Sequence, residues 1–353
     1  MTGGPPRRVP AERLVAFCVA IFQAAGVAPD HALTTGRRLV EADLRGRTGH
    51  GLIRVGPYVD RIEAGGVNLH PDIRVVHETP VSAQIDADNG LGQVAVTMAT
   101  ELAIGKAENA GLAWVGTVRS NHAGAAGLYP AMAARRGLIG LYLAVANANA
   151  MPPWGGNGRV LGTNPIAIAI PAGDGPPFLL DIATTVVSHG TIKVAAMAGE
   201  EIPAGWVIDG AGRPITDPAR VDEGFLVPIG GHKGSGLNIA IGLLAGVLNG
   251  AAFGRSVVDH AADLGTPTNT GQALLVMRPD LFMPAPEALA SIARHLDELR
   301  RSGSASGEPL RLPGDRAGEL ETENRARGIP VPDPLRERLV AVATRLGVAH
   351  PFD

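Results

Sequence analysis

A change of hydrophobic period near residue 81 constrains the fold of this chain more than any other feature of its sequence. Upstream, Leu14, Phe17, Cys18, Ile21, Phe22 and Ala25 fall at i, i+3, i+4, i+7, i+8 and i+11, which predicts one buried stripe on a helix over 10–25. Helices are expected over 30–44 as well, and after "GHG" at 49–51, running to about Gly65. Downstream, "SAQIDADNG", "LAWVGTV", "LIGLYLAVA", "IAIAIP" and "FLLDIA" are short apolar or alternating runs bounded by Gly, Pro and Asn, as strands are. "GQVAVTMATELAIGKAENAG" interrupts them as a helix closed by Gly111. The expectation is an α/β fold with a mixed sheet, divided into a helical lobe over 1–80, an α/β domain over 81–254 and a last segment over 255–353. That segment holds the strand "QALLVM", a helix over 285–301, a flexible polar loop "SGSASGEP", and a final helix from Asp333 as N-cap, with Pro334 at its first position, to Gly347. Neither set of terminal helices is large enough to bury a core alone. They are expected to pack together as a discontinuous, mainly helical second domain.

Charge and cysteine usage narrow the partners. A net charge of −3 leaves no basic excess to neutralise a phosphodiester backbone, so nucleic acid is not expected. The single cysteine, Cys18, has no internal partner and suits a reducing compartment, which points to the cytoplasm. Arg7 and Arg8 precede an apolar run as in an export signal, but Glu12 and Arg13 interrupt that run and its spacing is that of a buried helix. "LNIAIGLLAGVL" at 237–248 is shorter than the about 20 residues needed to span a bilayer, and no membrane association is expected.

The chemistry is concentrated in a few stretches. "GRTGHGLIR" at 46–54 sets His50 and Arg54 four residues apart, a spacing that can put a proton carrier and a carboxylate clamp on one helix face. His122, in "VRSNHAGAAGLYP", follows the "LAWVGTV" strand at the start of a helix, and strand ends are where α/β sheets bind ligands; capping or packing is the plainer role. His31, His70, His77, His260, His295 and His350 have no partner pattern and read as surface, whereas His189 and His232 lie near Gly-rich loops. No G-x-G-x-x-G fingerprint follows a strand, and no G-x-x-x-x-G-K-[ST] loop occurs. In "VPIGGHKGSGLNIA", Gly230, Gly231, Gly234 and Gly236 surround Lys233 just before a helix, either as an anion cradle or as a turn that lets helices pack closely. "TNP" at 163–165 and "DIATT" at 181–185 could hydrogen-bond a ribose or an amide. No metal motif and no G-x-S-x-G elbow is present, and a metal is not expected.

Together these stretches resemble the type-2 malate/L-lactate dehydrogenases, whose relatives act on sulfolactate, ureidoglycolate, diketogulonate and cyclic imine carboxylates. "EADLRGRTGHGLIR" is similar to the family's A-D-x-R-G-x-x-S-H-G-x-x-R segment. "DADNGLGQ", "SNHAG", "PPWGGNGRVLGTNPIAIAIP", "DIATT", "IPAGWVIDGAGRPITDP", "GGHKGSGL" and "LRLPGD" follow in family order.

The resemblance implies an NAD- or NADP-dependent oxidoreductase for a small 2-oxo or 2-hydroxy acid such as malate or lactate. It implies a cofactor fold unlike the Rossmann unit, and a homodimer with active sites between domains near the subunit contact. On its motifs His50 would give and take the proton and Arg54 would bind the substrate carboxylate. His122 would stand beside the reacting carbon, and in some relatives it is credited with the proton step. Thr48, Gly49 and Asn147 would line the substrate pocket. Ala183, Thr184, Thr185, His189, Lys233, Gly234, Pro313, Gly314 and Asp315 would hold the cofactor. Two departures bear on the substrate: Gly49 replaces the family serine, and Ala146, Asn147, Ala148 and Asn149 stand where serine, threonine and proline are usual. Reduction of a cyclic imine 2-carboxylate is the neighbouring reading. A catalytically silent nucleotide-binding protein is the third.

Overall fold

The computed structural model of the chain describes residues 6–305 and 307–352. Ser306, inside the polar loop expected at 302–309, lies outside the described residues, as do residues 1–5 and Asp353. A short strand β1 (Arg7–Val9) precedes helices α1 (Ala11–Ala24) and α2 (Pro29–Leu44), and two 3-10 turns, Thr48–His50 and Leu52–Arg54, lead into α3 (Val55–Glu63). There follow β2 (Arg74–Glu78), β3 (Ser82–Asp86), α4 (Gly92–Ala110), β4 (Leu112–Val118), α5 (Leu128–Arg135), β5 (Ile139–Ala144), β6 (Ile166–Ala172) and β7 (Gly175–Ile182). Then come α6 (His189–Ala198), the short strands β8 (Val207–Ile208) and β9 (Phe225–Leu226), α7 (His232–Ala245), β10 (Gln272–Met277), α8 (Ala285–Arg300), α9 (Asp315–Arg327), β11 (Ile329–Val331) and α10 (Asp333–Arg345).

Seven strands form one sheet in the order β2-β3-β4-β10-β5-β6-β7. Only β3 and β4 run parallel; every other neighbouring pair is antiparallel. This is the mixed sheet of the α/β expectation, and it differs from a doubly wound parallel sheet. The strand of the C-terminal segment, β10, sits at the centre between β4 and β5. The N-terminal helices share one apolar core with the end of the chain: Leu14, Phe17, Ile21, Phe22, Leu39 and Val59 pack with Ile329, Val331, Leu339 and Phe352. β1 pairs with β11 at the edge of this core.

β2, α9 and α6 are among the elements that lie where sequence periodicity gave no signal. β2 is an edge strand with an exposed face, so its apolar alternation is weak and it falls within the lobe expected to be helical. α9 is polar nearly throughout and buries only Asn324. It is laced by the Arg316–Glu319, Arg325–Glu321 and Arg327–Glu323 pairs instead. α6 begins where the Ser188 hydroxyl accepts a hydrogen bond from the Thr191 amide. At α10 the cap is Pro332 and Asp333 is the first helical residue, one position from the expectation.

Candidate active site

His50 and Arg54 do not share a helix face. Gly51 breaks the segment between the two 3-10 turns, with ψ at −136°. The Asp43 carboxylate accepts a hydrogen bond from the Leu52 amide at 2.7 Å, and a Cβ on residue 51 would lie 2.2 Å from that carboxylate. The break therefore follows from a glycine that lets the turn close over a buried carboxyl group. Burial pushes Asp43 up to about 7.

Beyond the break, α3 presents Arg54, Tyr58 and Arg61 at successive turns. Arg54 is buried, at 9% exposure, and its Nε donates to the Gly49 carbonyl at 2.8 Å. Among the described residues no carboxylate pairs with it. Burial lowers its pKa, a sign that its charge lacks a counterion. Arg61 donates to the carbonyls of His260 and Asp263 at 3.2 and 2.7 Å and to Asn121 Oδ1 at 3.1 Å, tying two loops to the helix.

Three imidazoles meet above these arginines. The His50 and His122 rings stack at 5.8 Å between centroids, 13° from parallel, and His260 stands edge-on to His122 at 5.6 Å. His122 Nδ1 lies 2.6 Å from the Tyr58 hydroxyl and accepts the Gly124 amide at 3.3 Å. An amide can only donate, so the proton of the neutral ring is on Nε2. Tyr58 in turn accepts from Gln93 Nε2 at 2.8 Å, and burial pushes its pKa up to about 12. No hydrogen bond within the described residues holds the His50 ring nitrogens. Burial, then Arg54 and Arg47, lower His50 to about 3. Burial, Arg54 and the neighbouring imidazoles hold His122 well below its usual range. The described residues offer no group of three or more metal-ligating side chains placed to hold an ion.

The three imidazoles and Arg54 line a cavity of about 500 Å³. Thr48, Gly49, His50, Arg54, His122, Asn147, Ala183 and His189 all face it. Asn147 is fixed there by its own bond to the Thr270 hydroxyl at 2.6 Å. His260, expected at the surface, also lines the cavity, because Arg61 and the Asn147 carbonyl hold its loop inward. Tyr58 and Gln93 were not singled out by sequence, although the spacing Arg54, Tyr58, Arg61 at i, i+4, i+7 marks a polar stripe on α3.

Other expected cofactor residues stand apart from the cavity. The Thr184 hydroxyl donates to the Thr163 carbonyl at 2.9 Å and accepts from Asn238 at 2.7 Å, while the Thr185 hydroxyl donates to the Val187 carbonyl at 2.7 Å. Both side chains are buried and satisfied within the protein. Lys233 and Gly234 lie in the first turn of α7, Lys233 exposed and Gly234 buried. This turn is joined to the Thr184 region by the Ile229 amide on the Thr184 carbonyl at 3.0 Å. Pro313 accepts from the Leu179 amide at 2.9 Å, Gly314 caps α9, and Asp315 pairs with Arg300 at 2.8 Å, so this turn braces β7 from outside.

A sequence model of the malate/L-lactate dehydrogenases matches residues 9–340. The chain is 40% identical over 354 residues to a malate dehydrogenase of Pyrococcus horikoshii, covering 97% of this chain and 96% of that one. It is 38% identical over 326 residues to an L-sulfolactate dehydrogenase of Methanocaldococcus jannaschii, covering 92% of each. The solved delta1-piperideine-2-carboxylate reductase of Pseudomonas syringae superposes with a TM-score of 0.86 at 30% identity, over 96% of this chain and all of that one.

Proposed function

The chain belongs to the malate/L-lactate dehydrogenase family, and from that premise we propose that it moves a hydride between a nicotinamide cofactor and a small 2-oxo or 2-hydroxy acid. The observation that carries this reading is a buried guanidinium without a counterion beside two neutral imidazoles in one cavity. One part of the lining suits a flat heteroaromatic ring, since Ala144, Val145, Ala146, Pro165 and Ala183 offer small apolar side chains. A bound nicotinamide supplies or takes up the hydride.

The residues of the chain do the remainder. Arg54 binds the carboxylate beside the reacting carbon with the guanidinium nitrogens that Gly49 leaves free. His122, its tautomer set by Tyr58 and Gly124, donates from Nε2 to the substrate oxygen. His50 exchanges the proton at that oxygen. In oxidation it takes the hydroxyl proton as the hydride leaves the same carbon, and the O–H electron pair becomes the second C–O bond. Substrate binding also tunes the base: burial depresses both imidazoles most, and a carboxylate on Arg54 cancels the next largest cause, raising their affinity for protons.

We propose that the first turn of α7, with Lys233 and Gly234, receives the cofactor phosphates, and that Thr184 and Thr185 shape the adjoining turn. The exposed Leu237, Leu243, Leu244, Val247 and Leu248 on and just after α7 support a homodimer. The buried Cys18 thiol suits a reducing cytoplasm. Reduction of a cyclic imine 2-carboxylate, using the same Arg54 clamp, is the second reading, supported by the likeness to the piperideine-carboxylate reductase.

The test is nicotinamide absorbance with NAD and NADP against a panel of 2-oxo acids, 2-hydroxy acids and pyrroline or piperideine carboxylates. Turnover of an acid is expected, and His50→Ala should lower it at least about a hundredfold while leaving cofactor affinity within about twofold. Silence across the panel with both cofactors would refute the oxidoreductase reading. Near-full activity in His50→Ala, with loss in His122→Ala, would transfer the proton step to His122.

A further inference from the structure

The cavity holds more positive charge than its own carboxylates satisfy. Of its cations, Arg47 pairs with Asp181 at 3.5 Å and Arg159 with Asp222 at 3.9 Å. The third carboxylate, Asp259, turns one oxygen to the amides of Ala261 and Ala262 at 2.9 and 3.2 Å. Arg54 and Lys193 remain without an ion pair among the described residues.

These two side chains are set in one frame. Gly49 holds Arg54 through its carbonyl, and the Gly49 backbone packs on Gly190 in the first turn of α6. A Cβ on Gly49 would lie 3.0 Å from Gly190 Cα, and a Cβ on Gly190 would lie 3.0 Å from the Gly49 carbonyl oxygen. Lys193 follows Gly190 by three residues, so its stem lies on the same face of α6 and over the preceding turn. A second cavity, of about 670 Å³, opens on the other side between α3, α6 and α10. It shares only Gly49, Arg54 and Lys193 with the first, so these three residues form the wall between the two. Lys193 is exposed, yet surrounding protein and the Arg54 charge lower its pKa against the opposing pull of Asp222 and Asp259.

We propose that Lys193 is the second anion-binding group of the active site: with Arg54 on the carboxylate beside the reacting carbon, the Lys193 ammonium takes the distal anionic group of a dianionic 2-hydroxy or 2-oxo acid. The proposal rests on the oxidoreductase reading and narrows it to a substrate charged at both ends. Arg54 and Lys193 repel one another, with Asp222 and Asp259 offsetting part of the Lys193 charge from beyond ion-pair distance, and a dianion bridging the two cations removes that repulsion as well as adding two charge-assisted contacts. A monoanion leaves Lys193 unpaired.

Binding of inert acids separates this proposal from turnover. Succinate and butyrate differ in one terminal charge, and calorimetry with each nicotinamide cofactor present compares their affinities. Wild-type protein should bind succinate at least about tenfold more tightly than butyrate, Lys193→Met should erase that ratio while leaving butyrate within about twofold, and Lys193→Arg should keep most of it. Lys193→Met should likewise raise KM for malate about tenfold and change KM for lactate far less. An unchanged succinate-to-butyrate ratio in Lys193→Met, or no preference in the wild type, would overturn the proposal. A ratio erased by Lys193→Met in a protein silent on every acid would uphold the anion site and refute the oxidoreductase reading alone.

Discussion

Asp43 is the residue on which the active-site turn closes, and its burial has a price in pH. Its pKa in the folded protein stands near 7, above the ordinary 3.8, so the folded state holds this proton more tightly than the unfolded chain does. The group therefore favours folding at acid pH, and that contribution fades as pH rises through about 7. Asp43→Asn keeps an acceptor for the Leu52 amide but cannot ionise. Urea unfolding should show this variant gaining at least about 2 kcal/mol on the wild type between pH 4 and pH 8; a difference constant across that range would mean that Asp43 is not protonated in the fold. Single residues were legible in the sequence where their chemistry is intrinsic. His50, Arg54 and His122 stand out by type and position, and all three face the cavity. His260 and Tyr58 were not, because what brings them in is tertiary: Arg61 reaching a loop about two hundred residues away, and a phenol meeting His122 across the fold.

At the scale of elements, the contact of the 3-10 turn with α6 sets the site. Gly49 stands out in the sequence as a serine lost from a pocket. The structure gives it a second meaning, since its backbone is in contact with Gly190 and space for a side chain there is tight. Gly190→Ala should cost about 1–3 kcal/mol in stability, because the atoms it meets belong to backbone and cannot rotate away. It should also raise KM for the acid by displacing Lys193 from Arg54. Thermal unfolding and steady-state kinetics check both, and wild-type values on the two counts would show that α6 shifts freely. Periodicity marked the helices with one buried face, such as α1, and short apolar runs marked strands buried on both faces, such as β4. It was silent on α9, whose surface pairs leave no apolar stripe to read.

For the whole molecule, the exposed leucines on and after α7 form an apolar patch that a lone chain leaves uncovered. Leu248 is 66% exposed and Val247 54%, beside Leu243 and Leu244. If they form the subunit contact, the paired substitution Leu244→Asp with Leu248→Asp should give a folded monomer by analytical ultracentrifugation where the wild type sediments as a dimer. A wild-type monomer would refute that role. The mixed sheet was legible in the alternation of short apolar runs, but its order was not, since no local pattern announces that β10 enters between β4 and β5. We propose the division near residues 81 and 255 as a description of the chain's segments. The core that residues 9–67 share with 329–352 supports joining the two ends in one unit.

The central place of β10 has a consequence for how the protein is made. During synthesis the strands up to β7 leave the ribosome before residues 272–277 do, so β4 and β5 have no partner between them until late. The nascent chain must hold two apolar strand edges apart, or shielded, for about ten seconds or more at ordinary rates of translation. The sheet is completed at its middle only when the last quarter of the chain arrives. A segment distant in the chain thus closes the gap between two halves of the sheet that are made before it.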